Sequence, residues 1–332
     1  MANTTAYRLP RHKGFTLVEI MVGLAIGMLA TMVILQVISM FENQKRITTG
    51  SADAQTNGSI ALYQITRELG LAGYPLMPVE NSPLECTTVT FGSTGITSIT
   101  PVGITDGAGG TSDTITIRYG DSAMGGIPAT INAMGAPTAN DATLSNNFGC
   151  NTGDIALIST GSTCALTALT AVSASAVVPA TVTLTETTNA SAGVNLACLG
   201  AWNEITFSVN AGNLERNGTP IVAGIVNIQA QYGVSTATNS NQVSLWVEPG
   251  NINLTDITQR NRIKAVRIAV IARNDRMDAS NVTTVLNTWT GSASSPAPAV
   301  DLSADADWQR YRYRVFETVV PLRNVIWARD TL

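Results

Sequence analysis

The feature of this chain that most constrains its fold is an uninterrupted apolar run close to the N-terminus. From Phe15 to Phe41 the sequence holds 27 residues with a single charge, that of Glu19. A helix of this length exceeds the roughly 20 residues needed to cross the hydrocarbon core of a bilayer. Cationic residues precede the run and the acidic Glu42 follows it, so the positive-inside rule predicts a cytoplasmic N-terminus. The run therefore predicts a single-pass membrane helix that leads into a domain outside the cytoplasm.

The charges and the histidine content exclude several classes of function. Arg8, Arg11 and Lys13 lie in the first 14 residues without an acid, which leaves 16 basic against 23 acidic residues in the rest of the chain. This acidic balance argues against nucleic-acid binding, and no nucleic-acid partner is expected. The one histidine, His12, precedes the apolar run, so a chain that starts after Gly14 would contain none. We therefore expect no His-dependent catalysis and no His-ligated metal, and we predict neither an enzyme nor a cofactor.

Four cysteines are widely spaced and lack the CxxC or CxxH pattern of zinc and iron–sulfur sites; they are Cys86, Cys150, Cys164 and Cys198. Such cysteines in an exported domain are typical of disulfides, which form in oxidising compartments. Four cysteines allow three pairings, and the sequence alone does not select one. Closure of the shorter loops favours Cys86–Cys150 and Cys164–Cys198, which is the pairing we predict.

Glu19 needs a physical reason to lie inside an apolar run. An ionised carboxylate in hydrocarbon is costly and is usually retained only with a partner. Cleavage after Gly14 would create a cation, the α-amine of Phe15. In a staggered stack of helices the amine of one subunit can then meet Glu19 of its neighbour. The alternative is an isolated glutamate at a helix end that reaches the membrane surface.

The remainder of the chain predicts an α+β fold. No proline occurs between Phe15 and Tyr74, and apolar residues recur at helical spacing as far as Ala72, so we predict one long helix over 15–73 with its transmembrane part over 15–41. Pro75 and Pro78 end this helix, and short β-rich runs separated by turn residues follow. Strands are predicted at 87–91, 114–119, 154–159, 181–185, 204–209, 226–232, 264–272 and 311–319.

These elements predict a leader over 1–14, the long helix, and a β-rich, largely antiparallel head over 74–332. Within the head, residues from about 92 to 200 are rich in Thr, Ala, Gly and Ser and hold three of the four cysteines. We interpret this stretch as a loop-rich insertion held by disulfides. A repetitive β-sandwich is the alternative, although no fixed-period repeat supports it.

The start of the apolar run resembles a known processing signal. Residues 13–19, Lys-Gly-Phe-Thr-Leu-Val-Glu, are similar to the signal of the type IV pilin and type II secretion pseudopilin superfamily. The resemblance implies that a prepilin peptidase cleaves between Gly14 and Phe15 and that the new Phe15 amine is N-methylated. An ordinary secretory signal has a shorter apolar region that ends in a small-residue cleavage site, which is missing here.

Three further segments resemble the PilW-type minor pilins. They are the end of the long helix at 61–74, a late strand at 264–270 and a closing strand at 313–324. Major pilins usually carry a proline in the mature helix at the place where this chain has Gln36. The resemblance therefore implies a pilin-like fold and a minor rather than a major subunit.

The function that the resemblance implies is assembly. The chain would be a minor pilin that primes a type IV pilus as part of a tip or initiation complex. Its partners would be other minor pilins, the major pilin, the prepilin peptidase, the inner-membrane assembly platform and, as a further candidate, a tip adhesin. It would lie in the inner membrane before assembly and in the pilus at the cell surface afterwards. A type II secretion minor pseudopilin is the nearest alternative, and a membrane-anchored adhesin or DNA-uptake subunit is the alternative from another class.

Overall fold

A computed structural model describes residues 14–76, 86–135, 138–174, 179–237 and 240–326. The chain divides into two compact units, Met1–Ser51 and Ala52–Leu332. Helix α1 (Leu17–Leu69) contributes its first part to one unit and its second part to the other. The predicted leader, apart from Gly14, and the predicted helix-ending Pro78 lie outside the described residues.

The described head contains sixteen strands, two short α-helices and three 3₁₀ turns, and the predicted α+β class with a largely antiparallel head is confirmed. Each of the eight predicted strands overlaps an observed one. The elements in chain order are β1 (Thr88–Thr90), β2 (Val102–Thr105), β3 (Thr114–Gly120), β4 (Pro128–Met134), β5 (Asp141–Leu144), β6 (Ile155–Ser159), β7 (Thr163–Val172), β8 (Ala180–Leu184), β9 (Asn195–Gly200), β10 (Trp202–Asn210), β11 (Asn213–Arg216), β12 (Thr219–Ala223), β13 (Ile225–Val234), β14 (Leu245–Val247), α2 (Ile257–Asn261), β15 (Ile263–Arg273), β16 (Tyr313–Pro321) and α3 (Arg323–Ile326).

The second part of α1 packs a narrow face of small and aliphatic residues against the head. Ala61, Ile65 and Leu69 are buried at a spacing of four residues, as one face of an amphipathic helix requires. Gly58 continues this face, and a Cβ at that position would overlap the ring of Phe316 on β16. The helix ends at Leu69 and is followed by turns, so the predicted end at residue 73 was four residues too late.

Two antiparallel sheets surround this helix face and supply the main core. One sheet has five strands in the order β12-β11-β10-β3-β2, and the other has four in the order β14-β13-β15-β16. Buried side chains from both sheets, such as Phe207 and Tyr232, join the α1 residues in one hydrophobic cluster. The main core therefore depends on contacts between residues that are far apart in the sequence.

Six of the seven remaining strands form a small closed barrel, which the sequence analysis did not predict. Strands β6, β7, β8, β5, β4 and β9 are each paired with the next, and β9 pairs with β6, so six antiparallel strands close on themselves. The interior is filled by alanines and aliphatic side chains, among them Ile131, Ile158 and Leu196. The predicted loop-rich insertion over 92–200 is therefore wrong. Eight strands, β2 to β9, run through that stretch, and its first part supplies β2 and β3 of the five-stranded sheet.

The disulfide pairing differs from the prediction. Cys86 is bonded to Cys164 and Cys150 to Cys198, with Cα–Cα distances of 5.7 Å and 5.2 Å. Strand β1 pairs in parallel with β7, in a register that places Val89 beside Cys164, and so brings Cys86 to β7 across 78 residues of sequence. Cys150 lies just before β6, and Cys198 lies on β9, the neighbour of β6 in the barrel. Strand order, rather than closure of the shorter loops, selects the pairs.

Candidate assembly site

Helix α1 begins with a reciprocal cap between Thr16 and Glu19. One carboxylate oxygen of Glu19, Oε2, accepts hydrogen bonds from the Thr16 backbone N–H at 3.0 Å and from the Thr16 hydroxyl at 2.9 Å. In return, Thr16 Oγ1 accepts from the Glu19 backbone N–H at 3.3 Å. This is a capping box, in which a Thr and a Glu three residues later satisfy N–H groups at a helix start. The sequence analysis missed it, although the Thr-x-x-Glu spacing is its known signal.

The predicted cleavage point lies in exposed, non-helical chain directly before this cap. Gly14, Phe15 and Thr16 precede the first helical residue, and the Phe15 side chain is 86% exposed. A Cβ added at Gly14 would have no atom within 4 Å. The bond between Gly14 and Phe15 is therefore free of packing against the described residues. Its cleavage, and the methylation of Phe15, stay predictions.

The first part of α1 has the properties of a membrane-spanning helix. The segment Leu17–Glu42 has 26 residues with a mean hydropathy of 2.3, and its residues are exposed. Its hydroxyl groups bond back to the helix: Thr31 donates to the carbonyl of Gly27 at 3.0 Å, and Ser39 donates to that of Gln36 at 2.8 Å. Such bonds satisfy polar groups that would otherwise be costly in hydrocarbon.

Glu68 anchors the other end of α1 to the five-stranded sheet. Its side chain is almost fully buried, and its two oxygens accept hydrogen bonds from Arg216 at 3.2 Å and from the Tyr119 hydroxyl at 2.8 Å. Burial raises the pKa of Tyr119 to about 12, and the hydrogen bond to the Glu68 carboxylate adds to that effect. The sequence analysis did not single out Glu68, because nothing local distinguishes it from an exposed helical glutamate.

Asp113 is a second buried acid that holds separate parts of the head together. Its carboxylate accepts from the backbone N–H of Gly107 at 2.9 Å and from that of Ala230 at 2.7 Å, so it joins the turn before β3 to strand β13. Burial raises its pKa to about 7, against the effect of these two hydrogen bonds, and the negative charges of Asp106 and Glu248 raise it further.

This pKa predicts that the head loses stability as the pH rises from about 4 to about 7. The ordinary pKa of the group is 3.8, so between that value and about 7 the folded chain holds a proton on Asp113 that the unfolded chain has released. Stability falls with pH wherever the folded state binds more protons, and it levels off above the folded pKa. Asp113→Asn cannot ionise and should therefore reduce the loss of stability between about pH 5 and about pH 8, measured by urea unfolding.

Asp141→Asn is the matched control for this pH experiment. Hydrogen bonds from Thr183 and Thr138 lower the pKa of Asp141, so this carboxylate stays charged in both states across the same pH range. Replacement of Asp141 should lower the free energy of unfolding equally at about pH 5 and at about pH 8. An unchanged pH dependence in Asp113→Asn would contradict the assignment.

Comparison with known proteins finds two matching family models at the two ends of the chain. The model described as type IV pilus-assembly protein W, PilW, matches residues 201–324, which run from β10 to the start of α3. The model described as the prokaryotic N-terminal methylation motif matches residues 9–35, which include Gly14, Phe15 and Glu19. The barrel strands lie between the two matched regions. No curated protein and no solved structure matches the chain.

Proposed function

Since this chain is a type IV pilin-like protein of the PilW type, we propose that it is a minor pilin that primes filament assembly within a tip or initiation complex. One observation carries the proposal. The matched methylation motif leads into a helix that is apolar and exposed along Leu17–Glu42, and the same helix is built into the core of a PilW-matched head at Ile65 and Leu69. The apolar part of such a helix can leave the membrane and enter a filament, while the head stays attached through the buried part of the same helix.

The proposed mechanism is physical assembly. A prepilin peptidase cuts between Gly14 and Phe15, and the Phe15 amine is methylated. The apolar helices of successive subunits then bundle together, and the Glu19 carboxylate of one subunit meets the Phe15 amine of its neighbour. An opposite charge within hydrogen-bond reach offsets the cost of keeping Glu19 ionised among apolar helices. The partners are other minor pilins, the major pilin, the peptidase and the inner-membrane platform, with a tip adhesin as a further candidate.

The barrel favours a position at the end of a filament. It is inserted between β3 and β10, which are neighbours in the five-stranded sheet, and so it adds a third sheet to the head. A subunit within a filament shaft has neighbours on all sides, whereas a subunit at the tip has room for such an addition. The barrel therefore supports a minor subunit present in few copies.

Processing gives the first test of the proposal. In cells that contain the prepilin peptidase we expect loss of residues 1–14 and a methylated Phe15, measured by intact mass, and in cells without the peptidase we expect the full chain. Gly14→Leu should block the cut, and the free space around Gly14 means that the fold should be retained. An uncut wild-type chain in the presence of the peptidase would overturn the proposal.

Deletion of the gene then separates the alternatives. A minor pilin that primes assembly predicts a strong fall in the number of pili. A type II pseudopilin predicts normal pili with a defect in protein export. An adhesin or DNA-uptake subunit predicts normal pilus number with a loss of attachment or of DNA uptake.

A further inference from the structure

Strand β16 forms one edge of the four-stranded sheet. Its pairing with β15 shows which of its main-chain N–H and C=O groups point into the sheet and which point outward. Just beyond its two ends, Asn274 N–H donates to Arg312 O at 3.0 Å and Leu322 N–H donates to Lys264 O at 2.9 Å. In an antiparallel pair the hydrogen-bonded residues alternate. Since the register runs without a shift between these points, the even-numbered residues of β16 bond to β15. The odd-numbered residues direct their N–H and C=O groups away from the sheet.

These outward groups have no partner within the described ranges. The residues that direct an N–H outward are Tyr313, Val315, Glu317 and Val319, and their N–H and C=O groups make no hydrogen bond in the described chain. Val319 is 49% exposed, and the Glu317 side chain is 50% exposed. No described residue therefore occupies this edge.

The other described edges are short or interrupted. β1 and β14 have three residues each and β2 has four, while β12 contains Pro220 and lies beside a register shift at Leu214/Glu215. β16 has nine residues, pairs with β15 without a shift, and carries its one proline at the last position. Proteins usually protect long, regular edges, because unpaired N–H and C=O groups invite another strand. A long, regular edge whose outward main-chain groups no described residue covers therefore suggests a use.

We propose that the β16 edge binds an extended segment of another filament subunit, which adds as a fifth strand to the four-stranded sheet. The row of alternating main-chain donors and acceptors is matched fully by an extended backbone. The added strand should carry an apolar residue beside Val319 and a cationic or uncharged residue beside Glu317. The inference rests on the proposed function, because it takes the partner to be a pilus subunit.

A second copy of this chain fits the edge poorly. Two copies of β16 paired antiparallel over their full length of Tyr313–Pro321 would be centred on Glu317, so the two Glu317 side chains would lie directly opposite each other. Each Glu317 carboxylate is already paired with Arg267 at 3.4 Å, and a second carboxylate directly opposite adds a like charge, which is destabilising. A strand from a different subunit avoids this repulsion.

The test compares Val319→Pro with Val319→Ala in the full-length chain. Proline at 319 removes an outward N–H and leaves the bonds between β15 and β16 intact, whereas alanine removes the two γ-methyl groups of Val319 and keeps the N–H. The chain is purified in detergent from its own cells, and the other minor pilins recovered with it are quantified by mass spectrometry. We expect recovery to fall about tenfold for the proline variant and to stay within about twofold of wild type for the alanine variant.

Hydrogen exchange on the wild-type chain tests the same point without a variant. The amides of Tyr313, Val315, Glu317 and Val319 should exchange fast in the isolated chain and slowly in the complex. Equal recovery of partners with the proline and alanine variants, or equally fast exchange of these amides in both states, would overturn the inference while the pilin function stands. If no minor pilin is recovered even with the wild-type chain, the proposed function falls, and this inference falls with it.

Discussion

Replacement of both Cys86 and Cys164 by alanine is expected to lower the free energy of unfolding by about 4 kcal/mol and to leave no free thiol. This disulfide closes a sequence separation of 78 residues, and in the chain-entropy account the unfolded state gains most when a long loop is opened. Cys150–Cys198 should remain intact in the variant. The measurements are urea unfolding and a thiol count on the denatured, unreduced protein.

The control variant replaces one cysteine of each disulfide by alanine. Cys86→Ala with Cys150→Ala breaks both bonds of the structure and should expose two thiols, those of Cys164 and Cys198. It should also lower the free energy of unfolding by about twice as much as the first variant does. That loss is comparable with the whole free energy of unfolding of a typical domain, about 5–15 kcal/mol. The opposite thiol counts, two in the first variant and none in the control, would restore the pairing that we predicted from the sequence.

The failure of the sequence-based pairing has a physical cause. Loop closure disfavours a long separation by only about 0.6 kcal/mol for each doubling of loop length, and strand pairing easily outweighs that amount. The parallel pair of β1 with β7 and the antiparallel pair of β6 with β9 decide which sulfurs meet. Neither pairing leaves a local signal in the sequence.

The barrel was missed for a related reason. Its core mixes alanines with larger aliphatic residues, and in β5 and β8 small buried residues such as Ala142 and Val182 alternate with threonine. Such strands show little contrast between their inward and outward positions, so their pattern is close to that of a loop. By contrast, β15 was predicted well, because its run of Val, Ile and Ala residues is long and almost entirely buried.

Apart from the Thr16–Glu19 capping box, whose local signal was missed, the candidate site was predicted where the signal is local and missed where it is not. The apolar run and the Lys-Gly-Phe-Thr-Leu-Val-Glu motif predicted a membrane helix and a pilin relationship, and the matched family models agree with that relationship. Glu68 and Asp113 gain their importance from partners such as Arg216 and Ala230, which lie more than a hundred residues away. Their burial follows from the fold and has no counterpart in their local sequence.

The capping box gives Glu19 a second role that must be separated from the proposed one. Both hydrogen bonds that its carboxylate accepts from Thr16 go to Oε2. Its other oxygen, Oε1, accepts no hydrogen bond in the described part of the chain. One oxygen can therefore cap the helix while the other receives the amine of a neighbouring subunit. The two roles are compatible in space, but they predict different responses to substitution.

We expect Glu19→Ala and Glu19→Gln both to abolish entry into filaments, and Thr16→Ala to permit it. Glutamine is accepted at this position of a capping box but carries no charge, whereas Thr16→Ala weakens the cap, at a cost of about 1 kcal/mol, and keeps the charge. The measurement is the fraction of processed chain found in sheared pili rather than in the membrane. If Glu19→Gln entered pili like wild type while Thr16→Ala did not, the carboxylate would act as a helix cap, and its pairing with the neighbouring Phe15 amine would have to be abandoned.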